Sequence, residues 1–200
     1  MAELEANPQT GNAAPTATGM MVVVVGPSGA GKDTLIGRAA EYFDGRTDVH
    51  FARRVITRGA DAGGEDHVSV SEGGFDAMER AGSFAISWDA HGLKYGIPAA
   101  VRQELAQGNI VIANGSRSVL DRFKAAFPRL TIINVTARPE VLAERLEARG
   151  RETRADILKR LERGSLTVQG DFDVVTIDNS GTLDAATHAM IDALEAILRG

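Results

Sequence analysis

From Met20 to Val25 the chain is apolar at every position, with four valines in a row. An unbroken run of this kind predicts a strand buried on both faces, which is the signature of a parallel sheet. A glycine-rich loop follows, and then a helical stretch from about Lys32 to Tyr42. Asn109 to Ala113, Leu130 to Thr136 and Phe172 to Ile177 are further short, β-branched runs. Helical stretches lie between them, at about Pro98 to Gln107, Ser116 to Ala126, Pro139 to Ala148 and Ala155 to Arg163. The last segment sets Leu183, Ala186, Met190, Leu194 and Ile197 at helical spacing. Strands alternating with helices predict an α/β fold with a parallel sheet, as a single domain over 20–200.

Two stretches depart from this alternation. Residues from about Thr57 to Tyr95 are rich in glycine, hold short apolar pieces and carry a short helix near Ser71 to Arg80. They predict a small inserted subdomain over the carboxyl edge of the sheet, where open α/β sheets bind ligands. Residues 1–19 are rich in Ala, Thr, Asn, Pro and Gly and predict a flexible tail. No apolar run of signal-peptide length follows a basic start, and no stretch approaches the roughly 18 apolar residues of a membrane span.

Composition narrows the function classes. The 200 residues carry 22 Lys and Arg against 27 Asp and Glu, a net charge of -5, which disfavours a life on nucleic-acid backbone. There is no cysteine, which removes disulfide scaffolds, Cys-ligated zinc, Fe–S clusters and thiol nucleophiles, and fits a reducing, cytoplasmic compartment. The four histidines form no H-x-x-x-H pair, so a His-based metal site is unsupported. Eighteen of the cations are arginine, the residue that grips phosphates bidentately.

The loop Gly26-Pro27-Ser28-Gly29-Ala30-Gly31-Lys32-Asp33-Thr34 nearly matches G-x-x-x-x-G-K-[ST]. Glycines let successive backbone N–H groups curl around a phosphate, and the helix that follows aims its positive end at the same anion. Lys32 then reaches the β- and γ-phosphates. The spacing also excludes a nucleophile elbow at Ser28. One position departs: Asp33 stands where a Mg²⁺-binding Ser or Thr is expected, and Thr34 comes one residue later. Three ways of holding the ion stay open: Thr34, Asp33, or mainly phosphate oxygens and water. No carboxylate ends the strand Asn109 to Ala113, which runs into Asn114.

Seven arginines fall between residues 138 and 163. Arg138, Arg145 and Arg154 read as a solvated helical face. Arg149 and Arg151 flank Gly150 at a break between helices, the place for a closing lid, and with Arg160 they are candidates for contact with the transferring phosphoryl group. Arg53, Arg54 and Arg58, with Arg117 just after the strand ending near Asn114, face the acceptor if the glycine loop holds the donor.

The loop, together with Ile56-Thr57-Arg58, Tyr95-Gly96 and the segment Arg145 to Glu152, resembles the guanylate kinase group of nucleoside monophosphate kinases over residues 20 to 198. The resemblance implies a P-loop core, an acceptor-binding insertion at about 57–95 and a lid at about 148–155. It also implies that Asn179-Ser180-Gly181 helps hold adenine, through Asn179 and Gly181, and that Arg54, Arg58, Ser87, Tyr95 and Arg117 bind the acceptor. Ser87 occupies the place of that group's guanine-reading Glu, Asn114-Gly115-Ser116-Arg117 replaces its acidic residues, and Asp61 falls where a second phosphate-pocket arginine belongs. With those departures, Lys32-Asp33, Glu65-Asp66-His67, Ser87 to Gly96, Asn114 to Arg117 and Arg149 to Glu152 are similar to the branch of the group that acts on ribose 1,5-bisphosphate. That likeness implies ATP and Mg²⁺ as cofactors, a sugar bisphosphate as acceptor, 5-phosphoribosyl 1-diphosphate as product and a place in phosphonate breakdown. A homodimer is compatible with it. Two other readings stand beside it: a guanylate kinase or other small-molecule kinase, and a non-catalytic module that binds an acidic or phosphorylated peptide. An intact lysine loop and an arginine-rich lid argue against the module, since a binder needs neither.

Overall fold

The computed structural model describes residues 19–59, 66–148 and 167–200. In chain order the elements are β1 (Met20–Val25), α1 (Lys32–Tyr42), β2 (Val49–Ala52), β3 (Val55–Ile56), β4 (Val68–Ser69), α2 (Glu72–Arg80), β5 (Phe84–Ala90) and β6 (Leu93–Pro98). There follow α3 (Val101–Ala106), β7 (Ile110–Asn114), a short 3-10 turn at Arg117–Val119, α4 (Leu120–Ala126), β8 (Leu130–Thr136), α5 (Pro139–Glu147), β9 (Asp173–Asp178) and α6 (Leu183–Arg199). The expected tail over 1–18, the expected helix from Ala155 to Arg163 and all but the first residue of the lid lie outside the described residues.

Five strands form one sheet in the order β2-β7-β1-β8-β9, and every pairing in it is parallel. β1 is central, and Met21 to Val25 are wholly buried. Successive residues of a strand point to opposite faces, so this one run feeds two cores. Val22 and Val24 pack with Leu35 and Ala39 of α1 and with Ala186, Met190 and Leu194 of α6. Met21, Val23 and Val25 pack on the other face with Leu105 of α3, Leu120 and Phe123 of α4, and Ile86 and Trp88 of β5. Burying each Val, Leu, Ile or Met side chain of these cores contributes roughly 1.5–3 kcal/mol.

Across the stretch expected to form an insertion lies a second sheet, in the order β4-β3-β6-β5. Its strands lie between Val55 and Pro98. β5 and β6 pair antiparallel around a two-residue turn, His91-Gly92, with φ of 53° and 73°. α2 starts on a Ser71 cap whose Oγ accepts from the Gly74 N–H at 3.1 Å, and it covers one face by stacking Phe75 on Phe84. The opposite face meets the main core, where Trp88 packs edge-on against Phe123.

Candidate active site

The loop leaves the carboxyl end of β1 and turns at two residues that tolerate no side chain. Gly26 has φ of 150°, and a Cβ there would lie 2.1 Å from the Val135 carbonyl oxygen. Gly31 has φ of 88°, and a Cβ there would lie 2.5 Å from Asn179 Nδ2. The loop therefore fits against β8 and the end of β9 because it is bare backbone at these points. Within it the Ala30 N–H donates to the Pro27 carbonyl at 3.2 Å. Pro27, Gly29 and Ala30 are buried, while Ser28 is exposed. Lys32 opens α1 and bends back over the loop, its Nζ donating to the carbonyls of Gly26 (3.0 Å) and Pro27 (3.2 Å). A cation and the first N–H groups of α1 thus sit together at one end of the sheet, as an anion site requires.

A second set of contacts braces the loop from the side. Asn179 follows β9, and its backbone N–H donates to the Thr136 carbonyl at 2.8 Å. Its side chain is turned inward, with Nδ2 donating to the Ala30 carbonyl at 2.8 Å. Arg145 of α5 donates from one Nη to the Asn179 carbonyl (2.9 Å) and from the other, more weakly, to the Gly29 carbonyl (3.4 Å). Arg145 is thus a bridge between the phosphate loop and the Asn179 turn rather than part of a solvated face. Gly181, two residues on, has open space around the position of a Cβ.

Asp33 and Thr34 lie exposed in the first turn of α1. Asp33 Oδ1 accepts from Asn114 Nδ2 at 2.8 Å, which joins the loop to the end of β7. Among the described residues no three His, Cys, Asp or Glu side chains converge. Such a donor set suits Mg²⁺, which keeps several waters and takes one or two protein oxygens beside the phosphates.

The residues expected to meet the acceptor divide between two faces of the second sheet. Tyr95 and Trp88 stack at 5.4 Å, and the Arg54 guanidinium lies over both rings, 5.0 Å from Tyr95 and 5.8 Å from Trp88. Arg54 and Tyr95 are thus brought together. Ser87 points to the opposite face and donates to Glu79 of α2 at 2.5 Å. The two line a small polar recess with Asp89, Lys94 and Arg122. Arg58 lies beside His67, with its Nη2 3.5 Å from Nδ1, and its Nε is buried without a protein partner among the described residues. Arg117 opens the 3-10 turn after Asn114, and burial pushes its guanidinium pKa down from the ordinary value. Asp61, Arg149, Arg151 and Arg160 lie outside the described residues.

Sequence reasoning missed Arg145 as a bridge, Asn114 as the partner of Asp33 and Trp88 as the platform under Arg54. For Arg145 a signal was present: Leu142, Ala143 and Leu146 of the same helix are its apolar positions, and Leu146 packs beside Gly29.

Residues 18–197 match the guanylate kinase family model. The chain is 67% identical over 180 residues to a ribose 1,5-bisphosphate phosphokinase PhnN of Rhizobium etli, covering 90% of this chain and 91% of the relative. A protein of the same name from Agrobacterium fabrum is 61% identical over 175 residues, covering 88% and 96%.

The chain belongs to the guanylate kinase family, in its ribose 1,5-bisphosphate phosphokinase branch.

A guanylate kinase crystal structure from Anaplasma phagocytophilum superposes with a TM-score of 0.57 at 18% identity, covering 94% of this chain and 88% of that one. This shows that the P-loop kinase fold is shared although few side chains are. The family assignment bears out the expected α/β P-loop kinase fold. It also accounts for the placing of Gly26 to Lys32 at the end of a central parallel strand.

Proposed function

We propose that this chain transfers the γ-phosphoryl group of ATP to the 1-phosphate of ribose 1,5-bisphosphate, giving ADP and 5-phosphoribosyl 1-diphosphate in phosphonate breakdown. The observation that carries this reading is the 67% and 61% identity to two ribose 1,5-bisphosphate phosphokinases along nearly the whole chain. An oxygen of the 1-phosphate attacks the γ-phosphorus, and the bond from that phosphorus to the β,γ-bridging oxygen breaks. The attacking oxygen is already ionised at neutral pH, so no general base is required. The protein's task is positioning and charge.

Gly26 to Gly31 hold the donor phosphates through backbone N–H groups, and Lys32 swings from its loop carbonyls to the β- and γ-oxygens. Asp33 and Thr34 would hold a Mg²⁺ ion, which when bound would neutralise charge on the phosphates. Arg54, Arg58 and Arg117 meet the acceptor phosphates, with Tyr95 fixing Arg54. Arg149, Arg151 and Arg160, which lie outside the described residues, are the remaining candidates for contact with the transferring group. Ser87 cannot span the two guanine donors that a carboxylate can, and it is already engaged with Glu79. The reaction belongs in the cytoplasm with its ATP; no helix among the described residues is long and apolar enough to cross a membrane.

The test is kcat/KM for ribose 1,5-bisphosphate and for GMP with Mg²⁺ and ATP, the product being identified by phosphorus NMR. A guanine that loses water without gaining partners costs about 1–3 kcal/mol per polar group. The sugar bisphosphate should therefore win by about 10²-fold or more, since polar mismatches reach roughly 10⁴-fold. A comparable or higher value for GMP restores guanylate kinase activity as the better reading.

A further inference from the structure

We infer that Asp33 and Asn114 are an exchanged pair: the carboxylate that a P-loop enzyme draws from the neighbouring strand is carried here by the loop itself, and the strand supplies the amide that positions it. The inference rests on the kinase reading above. In P-loop NTPases the divalent ion is held by a Ser or Thr hydroxyl on the loop and by an Asp at the end of a nearby strand. Here the residue after Lys32 is Asp33, and the neighbouring strand β7 ends in Asn114. Each position taken alone has lost its expected ligand. Together they keep one carboxylate and one neutral polar group, with the two places exchanged.

Asn114 stands beside Val24 in the β1–β7 register, and the next N–H, of Gly115, donates to the Val24 carbonyl at 2.9 Å. Asn114 is thus clamped into the sheet at 6% exposure, whereas Asp33 is exposed on the first turn of α1. The 2.8 Å bond from Asn114 Nδ2 to Asp33 Oδ1 fixes the carboxylate through one oxygen, and the cation is assigned to the other. An Asp at position 114 opposite Asp33 would set two carboxylates against each other at that distance, which disfavours ionising both. The amide on the strand removes that conflict. Asp33 is the metal-facing residue of the pair, and Asn114 is its positioning residue.

The test uses Mn²⁺ as the probe, with a non-hydrolysable ATP analogue and no acceptor, free Mn²⁺ being counted by electron paramagnetic resonance. Asp33→Ser should weaken Mn²⁺ binding to the nucleotide complex by about tenfold or more, while metal-free binding of the analogue is retained. Asn114→Ala should weaken it by roughly 10–100-fold, as loss of a positioning partner typically does. The double variant Asp33→Ser with Asn114→Asp restores the ordinary arrangement and should recover most of the loss of Asp33→Ser. Mn²⁺ binding unchanged in Asp33→Ser, or a double variant no better than that single variant, overturns the pair. Wild-type protein that fails to bind the analogue overturns the kinase reading itself. A failed acceptor assignment leaves all these readouts in place.

Discussion

Asn179→Ala isolates the strut under the phosphate loop. Asn179 is 2% exposed and Ala30 is wholly buried, so the bond between them is shielded from bulk water. The Ala30 carbonyl then loses the 2.8 Å bond from Nδ2. Leaving a buried acceptor without its donor costs about 1–3 kcal/mol. At the middle of that range, about 2 kcal/mol, a domain of this size should melt roughly 4–8 °C lower, at about 2–4 °C per kcal/mol. The same loss loosens the loop whose N–H groups hold the phosphates, so ATP affinity should fall by up to about 30-fold for that energy. Asn179→Asp sharpens the test. It keeps the shape but sets a carboxylate oxygen against a carbonyl oxygen, so it should be at least as damaging as Asn179→Ala. The assay is thermal melting by circular dichroism without nucleotide, followed by calorimetric titration with ATP. If Asn179→Ala melts within about 1 °C of wild type, or Asn179→Asp is the more stable of the two, the strut does not act as argued; the scale of that threshold is set by the shift expected above.

Three further outcomes are expected. Lys32→Ala should keep its circular dichroism spectrum and lose about 10²–10³-fold in kcat, the usual effect of removing one preorganised donor, and near-normal turnover would exclude the loop as the donor site. Arg54→Ala should raise KM for the acceptor and leave KM for ATP unchanged, with little rescue by Arg54→Lys, because a planar guanidinium stacked on Tyr95 and Trp88 is not replaced by an ammonium. The Tyr42 hydroxyl donates to Glu195 at 2.8 Å and, more than any other contact, holds that carboxyl below its ordinary 4.5, with Arg199 adding to the effect. A lowered folded-state pKa stabilises above the unfolded value and is lost as pH falls through the folded one, so Tyr42→Phe should flatten the stability loss below about pH 4.5 in urea titrations, and an unchanged acid limb would discount the contact.

The main sheet is legible in the sequence wherever burial on both faces leaves an unbroken apolar run, as at Met20–Val25 and Leu130–Thr136. β2 is not legible, because an edge strand of four residues, Val-His-Phe-Ala, is only half buried and carries no such run. The second sheet escapes for another reason. β3 and β4 are two residues each and exist only through pairing with distant chain, which no local pattern records. α3 is shorter than its helical spacing predicts because Pro98 belongs to β6 and the chain turns before Val101.

The site follows the same division. The loop is legible because its backbone geometry demands glycine at Gly26 and Gly31, and those demands are local. What braces it is not local: Asn179 reaches Ala30 across 149 residues, and Asn114 reaches Asp33 across 81. The second case carries a lesson about departures from a motif. Asp33 taken alone is a lost hydroxyl, and Asn114 taken alone is a lost carboxylate. Only the parallel register of β1 and β7, which sets Val24 against Asn114, puts the two departures in one place, where one carboxylate and one amide are joined by a hydrogen bond. A motif that binds a charged ligand is constrained by the sum of charges around that ligand. Compensating departures are therefore to be sought among the residues that the topology brings beside the loop, and the nearest such place is the end of the adjacent parallel strand.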